Sequence, residues 1–140
     1  MSLSTSGPPP SLPEIVREAR SIHERFLKAA IHTRRTTGTC LYAAILLASI
    51  VRKFGALERV LIRGGGQGDG GYRDKHGVLR GHYWVETHDH GRVTVIDITA
   101  DQFGGDPVTI LDQSQAFDYI PGRQEEIDNH VNEIGDGNFL

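Results

Sequence analysis

Between Leu12 and Ile31 the apolar residues Leu12, Ile15, Val16, Ile22, Phe26, Leu27 and Ile31 recur mostly at steps of three or four, leaving Arg17, Glu18, Arg20, Glu24 and Arg25 for the solvent side. The spacing predicts an amphipathic helix from about Pro13 to Ile31. Ser11-Leu-Pro-Glu14 opens it with the pattern of a capping box, Pro13 lying in the first turn. A second run, GTCLYAAILLASIVRKFG over residues 38–55, is apolar nearly all round from Leu41 to Val51. It predicts a helix buried in the middle of the domain, starting near Thr39 as N-cap and ending near Lys53, with Gly55 as the stop signal.

Beyond residue 55 the pattern turns to strands. Leu57 to Arg63 predicts a short one, followed by GGGQGDGG at 64–71, six glycines in eight positions. No Gly-Lys-Ser/Thr follows and the next segment is not helical, so phosphate-loop and dinucleotide readings fail and a flexible loop is expected. Val78 to His88 and Gly91 to Thr99 predict two strands joined by a tight turn around Asp89-His90. Turns are expected at Gly104-Gly105 and Pro121-Gly122, with a short strand near 108–111 and a weak helix over about 123–134.

Composition narrows the class. The 140 residues suit one domain, predicted to span residues 11–140 behind a disordered Ser, Gly and Pro rich segment at 1–10. A net charge of -3 leaves no basic excess for a phosphate backbone, so nucleic acid is not expected as a partner. The longest apolar run is too short for a bilayer and no signal peptide is visible. The expected location is the cytoplasm, or the outside after export without a classical signal. One cysteine permits no internal disulfide, and the sequence carries no signal for an oligomeric state.

A lone cysteine reads first as a small buried hydrophobe, but Cys40 falls in the first turn of the central helix, where unpaired N–H groups favour a thiolate. With a two- or four-residue turn after HYWVETH, hairpin positions whose numbers sum to 179 face each other, which sets His82 opposite Asp97. A carboxylate there can orient the imidazole through one ring nitrogen. Tyr83, Val85, Ile96 and Ile98 share the other face, while Trp84 and Val95 accompany His82. Both faces are therefore covered, and a buried His and Asp need each other or a third group such as the thiol. Cysteine, histidine and acid then have the roles of nucleophile, general base and acid, and orienter. Asp101 is a rival acid, expected instead to cap a local turn. His82, His88 and His90 offer a zinc reading, against which stands the simpler account of an exposed polar hairpin tip at His88-Asp89-His90. Glu125, Glu126 and Asp128 read as a solvated helix face.

The order Cys40 heading a buried helix, then His82 in GHYWVE, then Asp97 in VIDITADQFG, resembles the papain-like and transglutaminase-like cysteine superfamily over residues 38–104. The resemblance implies an α+β fold in which the central helix packs on a small antiparallel sheet, with Cys40, His82 and Asp97 as catalytic residues. Papain-type peptidases carry an oxyanion-hole glutamine shortly before the cysteine. No glutamine precedes Cys40, and Arg occupies position 34, so the chain is more similar to transglutaminase-like enzymes and small bacterial glutamine deamidases. Their chemistry implies attack on a carboxamide or peptide carbonyl through a thioester, a protein or peptide substrate carrying that amide, and no cofactor or metal. Tyr42, Trp84 and Gln102 are candidate oxyanion or substrate-binding residues beside the Cys40 N–H. The glycine loop is a candidate flap over the substrate. A catalytically silent binding module of the same fold is the alternative.

Overall fold

The computed structural model describes residues 8–31, 39–66 and 69–133. The expected disorder at residues 1–7 and the glycine-loop positions 67–68 lie outside them. Among the described residues no helix is long and apolar enough to cross a membrane.

The chain is α+β. Helix α1 spans Leu12–Ile31 and α2 spans Cys40–Phe54. Strands β1 (Arg59–Gly65), β4 (His82–Asp89), β5 (Arg92–Asp97) and β6 (Thr109–Asp112) form an antiparallel sheet in the order β1-β4-β5-β6. A second sheet, in the order β3-β2-β7, joins β2 (Gly71–Arg73), β3 (Leu79–Arg80) and β7 (Tyr119–Ile120). Helix α3, Gln124–Glu133, follows.

The capping box forms as expected. The Ser11 N–H donates to Glu14 Oε1 at 3.2 Å and the Glu14 N–H to Ser11 Oγ at 3.3 Å. The buried face of α1 is wider than the apolar residues alone suggest, since it also takes in Ala19, Arg20 and His23. Phe26, placed on that face by spacing, is 44% exposed. Helix α2 presents Ala43, Ala44, Leu47, Ala48 and Val51 to the core. Those small side chains let it lie close to Ile62 on β1 and Val85 on β4, with Ile15 and Val16 of α1 completing the layer. Tyr42 and Ser49 nevertheless face outward, so α2 is not buried all round.

Two expectations about strands need correction. The predicted strand 78–88 breaks at Gly81: Leu79–Arg80 pairs with β2, and His82 begins a strand of the main sheet. The β4–β5 turn has two residues as expected, but they are His90 and Gly91, with φ +50° and +78°. A two-residue hairpin turn with both φ positive favours glycine in second place, which His-Gly supplies and Asp-His does not. Val85 consequently faces Ile96 and partner numbers sum to 181. A shift of two preserves every side chain's face, so His82 and Asp97 still share one, diagonally rather than directly opposed.

The glycine segment is not a free flap where it is described. Gly64 and Gly65 end β1, Gly71 begins β2, and the Gly122 N–H donates to the Gly64 carbonyl at 2.6 Å. Gly71 has φ +130°, and a Cβ there would stand 1.9 Å from the Arg80 carbonyl oxygen. Only glycine satisfies that conformation and that spacing together.

Candidate active site

Cys40 is the first residue of α2, His82 the first of β4 and Asp97 the last of β5. Three element ends thus converge at one end of the main sheet, which is how residues 57 positions apart come to share a site. His82 Nε2 lies 2.8 Å from Asp97 Oδ2, with the two side chains 0% and 1% exposed. The Cys40 side chain is a hydrogen-bond partner of the same imidazole and is itself partly exposed. The three residues singled out from the sequence are therefore brought together.

Asp97 is fully provided with donors. Its Oδ1 accepts from the Thr99 N–H at 2.9 Å and from Thr99 Oγ1 at 3.3 Å. Its Oδ2 accepts from Tyr119 as well as from His82, each at 2.8 Å. Four donors compensate the burial of the carboxylate, which would otherwise be costly. Burial alone would push His82 toward the neutral form, but the Asp97 charge and hydrogen bond, joined by those of Cys40, outweigh it and raise the imidazole to about 9. At neutral pH His82 is an imidazolium held between an acid and a thiol.

Rings close around the pair. Phe103 meets the imidazole edge-on with centroids 5.2 Å apart, Tyr72 edge-on at 5.9 Å, and Trp84 lies at 6.1 Å. Excluding water in this way strengthens each charge interaction inside. The second ring nitrogen, Nδ1, has Gln102 Nε2 at 3.1 Å. Gln102 stands on the 3-10 turn Ala100–Phe103 directly after β5, so this candidate reaches the site. Trp84 reaches it as a buried wall. Tyr42, two residues along α2 from Cys40, is 41% exposed.

Several participants carry no sequence signal. Tyr83 points to the helical side of the sheet and bonds His130 Nδ1 through its hydroxyl at 3.1 Å. Burial first, and the charge of Cys40 second, hold that phenol above its ordinary range. Thr39 occupies the N-cap position of α2, but its side chain makes no cap hydrogen bond; Oγ1 instead meets His23 Nε2 at 3.2 Å. His23 is 2% exposed, and burial followed by the Arg20 charge holds it below its ordinary value. Asp101, expected as a local cap, gives its carboxylate to Arg20. Among the acids considered, Asp97 is the partner of His82.

The three-histidine metal reading fails on distance. His82 and His88 sit at opposite ends of β4, about 20 Å apart along an extended strand. His88 bonds Glu86 at 2.8 Å. At the hairpin tip Glu58, Asp89 and His90 bring ligand atoms within 4.8 Å of one another, and Glu58 Oε1 already takes the His90 N–H at 2.8 Å.

The chain matches no known protein family, no curated protein and no solved structure.

Proposed function

We propose that the protein is a cysteine-nucleophile enzyme of papain-like and transglutaminase-like type, acting on a carboxamide or peptide carbonyl through a thioester. One observation carries the reading: a partly exposed thiol at the head of α2 bonds an imidazole that is wholly buried against a carboxylate. Such a pair is expensive to bury and serves no packing need that a hydrophobic residue would not serve better.

The geometry supports the following sequence. Cys40 as thiolate attacks the carbonyl carbon, forming a C–S bond while the carbonyl electron pair moves to oxygen. Collapse of that tetrahedral species breaks the C–N bond, and the departing nitrogen takes the proton held by His82. Water then attacks the thioester with neutral His82 as base, the C–S bond breaks, and the sulfur leaves as thiolate. A carboxylic acid and ammonia or an amine are the products, and the thiolate–imidazolium pair is restored. An amine acceptor in place of water yields a new amide. Asp97 orients the ring and stabilises its charged form throughout. The substrate is a protein or peptide bearing the amide.

The test is the pH profile of Cys40 alkylation by iodoacetamide, followed by mass spectrometry, in the folded wild type and in His82→Ala. The proposal expects fast alkylation at pH 6 that is lost in the variant. A wild-type thiol that stays inert, or that behaves as an ordinary thiol titrating near about 8.5 with or without His82, overturns the enzyme reading in favour of a binding module.

A further inference from the structure

Tyr119 belongs to the second sheet, on a strand of two residues with no motif around it, yet its hydroxyl ends on the same carboxylate oxygen that takes the His82 ring. Its carboxylate partner fixes the direction of its proton, since a carboxylate only accepts: the phenol hydrogen points to Asp97 Oδ2 at 2.8 Å. Thr109, which pairs with Asp97 in the β5–β6 ladder, is a further side-chain hydrogen-bond partner of the phenol, and with that hydrogen committed to Asp97 the threonine hydroxyl meets the phenol oxygen as donor. Thr99 anchors the other oxygen, Oδ1, twice. The carboxylate consequently cannot rotate without breaking bonds at both oxygens.

The surroundings keep this arrangement dry. Tyr119 is 7% exposed and meets the Trp84 ring edge-on at 5.1 Å and Tyr72 edge-on at 5.1 Å. Burial, and then the charge of Asp97, hold the phenol far above its ordinary value, so it remains a donor at every accessible pH.

We infer that Tyr119 is a positioning residue for the His82–Asp97 pair: driven by Thr109, its hydroxyl pins Asp97 Oδ2 toward Nε2 and takes up part of the carboxylate charge that the imidazolium would otherwise meet alone. The inference rests on the reading of Cys40, His82 and Asp97 as the reaction machinery. It assigns to the β2-β3-β7 sheet a task beyond covering the main sheet, since it delivers this hydroxyl.

The hydroxyl has a directional signature. Removing a donor from Oδ2 leaves more charge facing His82, so the ring should hold its proton to higher pH. In Tyr119→Phe, which keeps the ring and its contact with Trp84, the His82 titration followed by NMR of labelled histidine should move up by roughly one pH unit. The second inflection of the Cys40 alkylation profile, where the imidazolium loses its proton, should move with it. Thr109→Val, which leaves the phenol in place but frees its oxygen, should shift both the same way by less. A merely structural role would lower the melting temperature and leave the midpoint alone. An unchanged His82 midpoint in both variants overturns the inference whatever Cys40 does. A wild-type Cys40 that is inert overturns the nucleophile reading whatever Tyr119→Phe does to His82, so the two failures are distinguishable.

Discussion

Arg20 on α1 and Asp101 on the turn after β5 form a two-pronged ion pair, Nη1 and Nη2 each 2.9 Å from a carboxylate oxygen. The same guanidinium donates to the Ile98 carbonyl at 2.7 Å and, through Nε, to Glu24 at 2.7 Å. Arg20 is only 8% exposed, so it fastens the outer helix to the short turn that carries Gln102 and Phe103 against His82.

Removing one partner of a buried pair leaves the other uncompensated. Arg20→Ala should therefore cost about 3 kcal/mol of stability, measured as a fall in the urea midpoint at unchanged slope. Asp101→Asn, which retains a hydrogen-bonding side chain, should cost less. A loss below about 1 kcal/mol for Arg20→Ala would mean that the pair behaves as a surface bridge.

Two histidines give stability opposite pH dependences. The folded-state value of His82, about 9, lies above its unfolded value of about 6.5. The folded protein thus binds the extra proton between the two, and the contribution of His82 is complete below about pH 6.5 and lost as pH rises through 9. For a wholly buried group this is on the order of 3 kcal/mol. His23 is shifted the other way, so its contribution is lost as pH falls below about 6.5. Urea unfolding at pH 6.5 and pH 9 should show the decline in the wild type, and His82→Gln should abolish most of it. Equal stability of the wild type at both pH values would rule out a charged His82 in the fold.

How much of this was legible in the sequence depends on the range of each interaction. Ser11 and Glu14 act within one helical turn, and the identity of Cys40, His82 and Asp97 follows from period and order, since each marks the end of an element. The hairpin survived a misplaced turn because a register error of two residues leaves the faces unchanged. Arg20 reads as solvent-facing because an arginine in an amphipathic pattern carries no mark of a partner at Asp101, 81 residues on. Tyr119 lacked a signal for the same reason, as two residues of strand leave no periodicity to read. The glycines misled in another way: the composition of a flexible loop is also that of closely crossing backbones.

That last distinction is testable at Gly71. Gly71→Ala must place a Cβ where the Arg80 carbonyl now stands and must hold alanine at φ +130°. Relief requires separating β2 from β3, immediately before His82, so the variant should lose at least about 3 kcal/mol. A thermal shift assay, or limited proteolysis near residue 71, would measure it. A variant as stable as the wild type would restore the picture of a loose loop.

On the proposed reading Gln102 has two tasks, holding the charged ring and binding substrate, and one variant separates them. Its amide lies 3.1 Å from Nδ1, and because the charged ring donates from both nitrogens, the group it needs there is the amide oxygen. With Asp97 on Nε2, Nδ1 is the position that carries the proton taken from Cys40, so the amide oxygen helps to hold the imidazolium. Iodoacetamide reacts with thiolate by displacement at a saturated carbon and develops no oxyanion. Gln102→Ala should accordingly slow Cys40 alkylation at pH 6 by no more than severalfold. If the amide N–H donates to the oxygen of a carbonyl substrate, the same variant should slow release of ammonia from a glutamine peptide by about 100-fold. A small loss in the first assay beside a far larger one in the second marks both functions in one residue. Faster alkylation would show that Gln102 opposes the charged ring instead of holding it, and unchanged hydrolysis would remove it from the oxyanion site.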